Sequence, residues 1–313
     1  YAVGVDGCTS NKILAAACAA CTVPLTWAIA REARPHRADS VPLIAALLLA
    51  ISAQFTIWGA GGLENSLLNV LIAAAVWRAA VEARRGGWPV SAVFWLGVAL
   101  TRPEGILFAA LGGFWTMVYR VHRERETLRD AASNPARIPA ALWSAAWPTL
   151  AWLVTFFVPF GLYQAWRINY FAWEFPNTYY AKKGNPSKAF EPYNWTGKGW
   201  KYVRGWAQAL GQGYLVPVYA FAVLGTRGLR GTMAVATTVF IVFALALPGP
   251  EWLDLGMDLP AWWVRVKVIT LLVASLFPLL FIVGRPGWQA LALAQSLVVA
   301  ALFLAIYAGG DWL

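Results

Sequence analysis

The chain has 313 residues, of which 59% are hydrophobic and 13% charged, with a formal net charge of +10. A soluble domain carries about 25% charged residues, so the composition excludes an ordinary soluble protein and predicts an integral membrane protein. The excess of basic residues sits in short loops between apolar runs, which argues against nucleic acid as the partner.

Apolar runs cover approximately 13–30, 41–58, 66–81, 88–101, 105–119, 141–163, 213–226, 231–248, 268–283 and 288–308. They predict an all-α, polytopic transmembrane bundle of roughly ten helices forming one membrane domain, since a full span needs about 20 residues. None alternates with period two, so a β-barrel is not expected. Cys18 and Cys21 form a C-x-x-C pair inside the first run, without a second pair, and read as small packing residues. His36 and His122 lie in Arg-rich loops without ligand partners, so neither a metal site nor a cofactor is expected.

Arginines follow the odd-numbered runs: Arg31, Arg34 and Arg37; Arg84 and Arg85; Arg120, Arg123, Arg125 and Arg129; Arg227 and Arg230; Arg285. The positive-inside bias places these ends in the cytoplasm. Gly62-Leu63-Glu64, Thr101-Arg102-Pro103-Glu104-Gly105, the stretch Pro176 to Lys183, the loop 249–267 and Gly309-Gly310-Asp311-Trp312 then face outward. The run 88–101 gives only about 21 Å of helix against a hydrocarbon core of about 30 Å. The turn carrying Arg102 and Glu104 is therefore expected below the outer surface, where charges face a cavity or each other. A mutual Arg102–Glu104 pair, or a pair with Glu64, that only holds the hairpins together is the alternative.

A polar outer segment, 165–212, contains Phe175-Pro176-Asn177-Thr178-Tyr179-Tyr180-Ala181-Lys182-Lys183. Pro176 presets a turn, Asn177 and Thr178 tie down local backbone, and Tyr179 and Tyr180 suit the lipid–water boundary. Lys182 and Lys183 add two cations, which suits an anionic head group; an aromatic anchor is the plainer reading. From Trp195 to Leu210, Trp200, Val203, Trp206 and Leu210 recur at helical spacing opposite Lys198, Lys201 and Arg204, predicting a basic interfacial helix. Asn194-Trp195-Thr196 fits a glycosylation sequon. The loop 249–267 combines Glu251, Asp254 and Asp258 with Trp252, Trp262 and Trp263, and reads as a solvated interfacial loop.

The order Gly-Leu-Glu opening a helix, Thr-Arg-Pro-Glu-Gly between short helices, Pro-Asn-Thr-Tyr-Tyr-Ala-Lys, then Gly-Gly-Asp-Trp resembles bacterial GT-C-type glycosyltransferases. It is most similar to the mycobacterial terminal arabinofuranosyltransferase group and its relatives, from about Gly59 to Asp311. The resemblance implies a bacterial inner-membrane enzyme with its active face outward. Such enzymes move a sugar from a polyprenyl-phosphate donor to a glycan, lipid or protein acceptor of the cell envelope. Glu64, Arg102, Glu104, Asn177, Lys182 and Asp311 match positions in the family's motifs. Arg102, Lys182 and Lys183 are assigned to the donor phosphate by their charge and placement. Glu64, Glu104, Asn177, Tyr179 and Asp311 are assigned to sugar or acceptor. The family's acidic motif in the first outer loop has no counterpart, because Asp6 stands without an acidic neighbour. The chain is therefore expected to be an inactive fragment, its base lying upstream and its last helices missing. A lipid-linked-sugar flippase or transporter, or a non-catalytic lipid-binding subunit, remains the alternative.

Overall fold

A computed structural model describes residues 6–33, 40–62, 64–132, 136, 138–171 and 288–307. Among them every regular element is helical: α1 Gly7–Ala33, α2 Val41–Ala50, α3 Ala53–Ala60, α4 Asn65–Arg85, α5 Ser91–Thr101, α6 Gly105–Ala132, α7 Ile138–Phe171 and α8 Trp288–Tyr307. Among the described residues there are eight helices, not ten. The expected runs 213–226, 231–248 and 268–283 lie outside those residues, and the run 41–58 is two helices. Its break falls at Ile51 and Ser52, where the Ser52 hydroxyl accepts a hydrogen bond from Phe55 N at 3.5 Å and opens α3. Such a cap satisfies a donor left over at a helix start.

Three helices, α1, α4 and α7, are long and apolar enough to cross a membrane; the chain is a multi-pass membrane protein. Helix α6 outruns its predicted apolar half, and α7 reaches Phe171, so residues 165–171 continue a helix where a loop was expected to begin. The chain divides into two compact units, 1–175 with 284–294 and 176–283 with 295–313. The first holds α1 to α7 and the start of α8. Of the second, only the remainder of α8 is described.

Within the first unit, α1 makes its most extensive packing with α4. Ala15, Cys18 and Thr22 are buried on α1, and α4 buries Ala73, Ala74, Ala75, Val76, Ala79, Ala80 and Ala83. Small side chains let two backbones approach closely where lipid offers no hydrophobic drive of its own. The pair runs parallel. Near the start, Gly62 (φ +71°) packs against Lys12, whose Cγ lies 3.2 Å from where a side chain would begin. Near the end, Glu32 takes a bidentate pair from Arg84, at 2.8 Å to Nε and 2.7 Å to Nη2. Helices α2 and α3 form the return path between them.

Helix α5 lies against α4, α6 and α7. Trp95 is fully buried against Gly112 of α6, where no side chain would fit, and Gly113 faces the Trp152 ring of α7. Trp115 and Tyr119 of α6 pack on Trp288 at the start of α8, and the Tyr119 hydroxyl donates to the Gln289 carbonyl. The adjacent glycines thus admit an indole on each side of α6 and fix the α5–α6–α7 layer that carries the turn described next.

Candidate functional site

Pro103 disfavours helical geometry in the residue before it, and Arg102 is accordingly extended (φ −144°, ψ 147°), ending α5. Gly105 N then donates to Arg102 O at 2.9 Å. A Cβ on Gly105 would run into the Val98 carbonyl oxygen, so the turn closes only with glycine there. This geometry sends the Arg102 side chain back to the start of α4.

Arg102 Nε meets Glu104 Oε1 at 2.5 Å, and its Nη1 donates to Asn65 Oδ1 at 2.9 Å and lies 3.9 Å from Glu64 Oε1. The Arg102 and Glu104 side chains are 17% and 11% exposed, whereas Glu64 is 53% exposed. Glu104 Oε2 is buried and makes no hydrogen bond among the described residues. One guanidinium and two carboxylates give a local charge of about −1, so the cluster suits hydroxyl groups as long as Glu104 holds Arg102. A carboxylate fixed at one oxygen by arginine and open at the other can accept a hydroxyl proton or hydrogen bond.

Helix α5 is short, its 11 residues giving about 16 Å against a hydrocarbon core of about 30 Å. Trp88, before α5, packs on Trp147 of α7 with ring centroids 6.4 Å apart.

The structure therefore brings Glu64, Arg102 and Glu104 together, the pairing that the alternative reading of the sequence offered, and adds Asn65, which carried no signal of its own. Asn177, Tyr179, Lys182, Lys183 and Asp311 lie outside the described residues. Asp6 acts as a helix cap. Its carboxylate accepts from Thr9 N at 2.9 Å and from Thr9 Oγ1 at 2.6 Å. Those bonds, the Thr9 hydroxyl first, hold its carboxyl below the usual aspartate value although it is fully exposed. Cys8, Cys18 and Cys21 are free thiols, and His122 packs edge-on to Trp288. Among the described residues no three His, Cys, Asp or Glu side chains gather to hold a metal.

A second charged cluster, at the far end of α4, was missed. Glu82 is only 2% exposed. It accepts from Ser91 N at 2.9 Å and from Ser91 Oγ at 2.6 Å, capping α5 from a neighbouring helix. Arg78 Nη2 stands 3.5 Å away, one turn earlier. An Arg-x-x-x-Glu spacing late in an alanine-rich helix was the available signal; the predicted run stopped at residue 81, which left Glu82 outside it. No protein-family model, curated protein or solved structure matches the chain.

Proposed function

We infer that the chain is a membrane glycosyltransferase of the bacterial inner membrane. It takes a sugar from a polyprenyl-phosphate donor and passes it to a cell-envelope glycan, lipid or protein at the outer face. The observation that supports this reading is Glu104, held by Arg102 in a largely buried turn with its second oxygen buried and unpartnered. Group transfer from a lipid phosphate needs a carboxylate near the acceptor hydroxyl and cations for the leaving phosphate. Glu104, with Glu64, is assigned to sugar or acceptor hydroxyls. Arg102, Lys182 and Lys183 are assigned to the phosphate, which must displace Glu104 from Arg102 Nε to gain a bidentate contact. Asn177, Tyr179 and Asp311 join the sugar or acceptor side on sequence grounds.

The test is binding of a polyprenyl-phosphate sugar to the purified full-length protein. Lys182→Ala and Arg102→Ala are expected to weaken it by roughly tenfold to a hundredfold, as loss of a charge-assisted contact does. Glu104→Gln is expected to leave donor binding nearly intact and to abolish transfer. Wild-type donor affinity in folded Arg102→Ala and Lys182→Ala proteins would overturn the assignment. The same Arg102–Glu104–Asn65 geometry also supports a second reading, a clamp in a non-catalytic lipid-binding subunit. In that case Arg102→Ala lowers thermal stability, and adding Glu104→Ala restores it.

A further inference from the structure

We propose that Arg120 and Arg123, beside the Gly86–Gly87 turn, bind the phosphate of an anionic phospholipid head group. This site lies at the opposite end of α4 from the Arg102 turn and is independent of the function inferred above.

Two guanidiniums stand at this turn, with Arg78 behind them at Glu82 and over the Trp77 ring, and none of the three closes a short ion pair. Arg78 reaches Glu82 at 3.5 Å, Arg120 Nη2 reaches Gly87 O at 3.5 Å, and Arg123 Nη2 reaches Arg85 O at 3.5 Å. Arg123 Nε also stands 3.9 Å from Glu124. Charge-assisted contacts close at about 2.7–2.9 Å, as Arg84 and Glu32 do nearby. Glu82 does not supply that closure in this geometry, since Ser91 lies closer to each of its oxygens than Arg78 does. The Nε atoms of Arg78 and Arg120 are buried with no hydrogen-bond partner, and Arg120 is only 8% exposed. Buried guanidinium donors left open in this way are an acceptor short.

The local charge favours an anionic acceptor. Among the described side chains at the turn, Arg85, Arg120 and Arg123 outweigh Glu82 and Glu124, while Arg84 is neutralised by Glu32. Access is open as well. Gly86 and Gly87 have φ of +75° and +102°, and nothing lies within 4 Å of where a Gly87 side chain would begin. Beside them, Trp88 is exposed and stacks edge-on against the exposed Trp147. Exposed indoles mark the head-group level of a bilayer, and basic pockets between helices at that level recognise anionic lipid phosphates. Arginine's planar fork suits a phosphate with two free oxygens. A lipid fits these surroundings better than a soluble phosphate, because the indoles offer acyl chains a surface next to the cations.

The experiment is native mass spectrometry of the full-length protein from mixed micelles containing phosphatidylglycerol or phosphatidylcholine. Wild type is expected to retain phosphatidylglycerol in preference to phosphatidylcholine. Arg120→Gln and Arg123→Gln are expected to weaken that retention about tenfold without changing phosphatidylcholine. Arg123 is well exposed, so its variant tests the site even if Arg120→Gln fails to fold; Arg123→Lys should recover part of the loss. Equal retention of the two lipids by wild type, or unchanged retention in a folded Arg123→Gln protein, would overturn the proposal. Inorganic phosphate supplies the third arm. If it raises the melting temperature of wild type but not of Arg123→Gln, while no lipid preference is seen, the site belongs to a soluble phosphate and the lipid is excluded.

Discussion

Two glycines carry different steric duties, and their substitutions separate the two ends of α4. Gly86 ends that helix at φ +75°, ψ −158°, a region almost closed to other residues. Gly86→Ala should cost about 1–3 kcal/mol and push Arg123 aside, readable as a lower melting temperature in detergent. Gly105→Ala collides with backbone rather than a movable side chain, so it should cost at least as much and also disturb the Arg102 turn. A Gly105→Ala protein as stable as wild type would show that the turn is looser than described. Asp6 gives the pH-sensitive contribution. Its carboxyl lies below the ordinary aspartate value in the folded chain, so its stabilisation is full above that value and lost as pH falls through the lowered one. Amide exchange at Thr9 should therefore quicken, relative to its intrinsic rate, only at strongly acidic pH, and Asp6→Ala should quicken it at every pH. At this scale the sequence was legible where a motif joined neighbours, as in Arg102 with Glu104. It was silent where a partner came from 37 positions away, as with Asn65.

Among the elements, α7 reports where the bilayer sits. Trp143 and Trp147 stack at one end, while Tyr163, Trp166, Tyr170 and Phe171 cluster at the other. Trp147 and Trp166 are about 28 Å apart at helical rise, close to the hydrocarbon thickness of about 30 Å. Between them Leu150, Val154, Phe157, Val158 and Leu162 are exposed, as lipid-facing residues would be. Pro148 and Pro159 lie inside the helix without ending it. Spin labels along this face should show the highest ratio of oxygen to nickel-chelate accessibility near 157, falling towards 143 and 170. A flat profile would put α7 outside the bilayer. Helix α5 shows why hydropathy misjudges elements here. Its apolar run starts at Trp88, yet the helix begins only at Ser91, where Glu82 caps it from another helix. The run 41–58 likewise contains a serine cap that periodicity does not register.

Across the first unit, turns distant in sequence gather into two groups. Lys12, Gly62, Glu64, Asn65, Arg102 and Glu104 belong to one, linked by the Lys12–Gly62 packing and the Arg102 contacts. Glu32, Glu82, Arg84, Arg85, Gly87, Ser91, Arg120 and Arg123 belong to the other. Arginine counting separates these groups in the same way, because α1 and α4 run parallel and α5 and α6 each reverse direction. What that counting lacked was the pairing itself. Parallel neighbours joined through a broken return path leave no periodic trace, and the alanine stripe on α4 resembles any packed helix. The division supports a definite orientation, with the arginine-rich group cytoplasmic and the Arg102 group outside. Single cysteines at 64, 85 and 125, placed in a chain whose Cys8, Cys18 and Cys21 are replaced by alanine, test it with an impermeant maleimide on intact cells. Position 64 should react, and 85 and 125 only after permeabilisation. A cysteine at 104 should react slowly from outside, since Glu104 is largely buried, and its rate measures how accessible the turn is. Reaction of 125 but not 64 in intact cells would invert the protein and remove the outward-facing transfer site. Reaction of both would mean that the two groups do not lie on opposite sides of one bilayer.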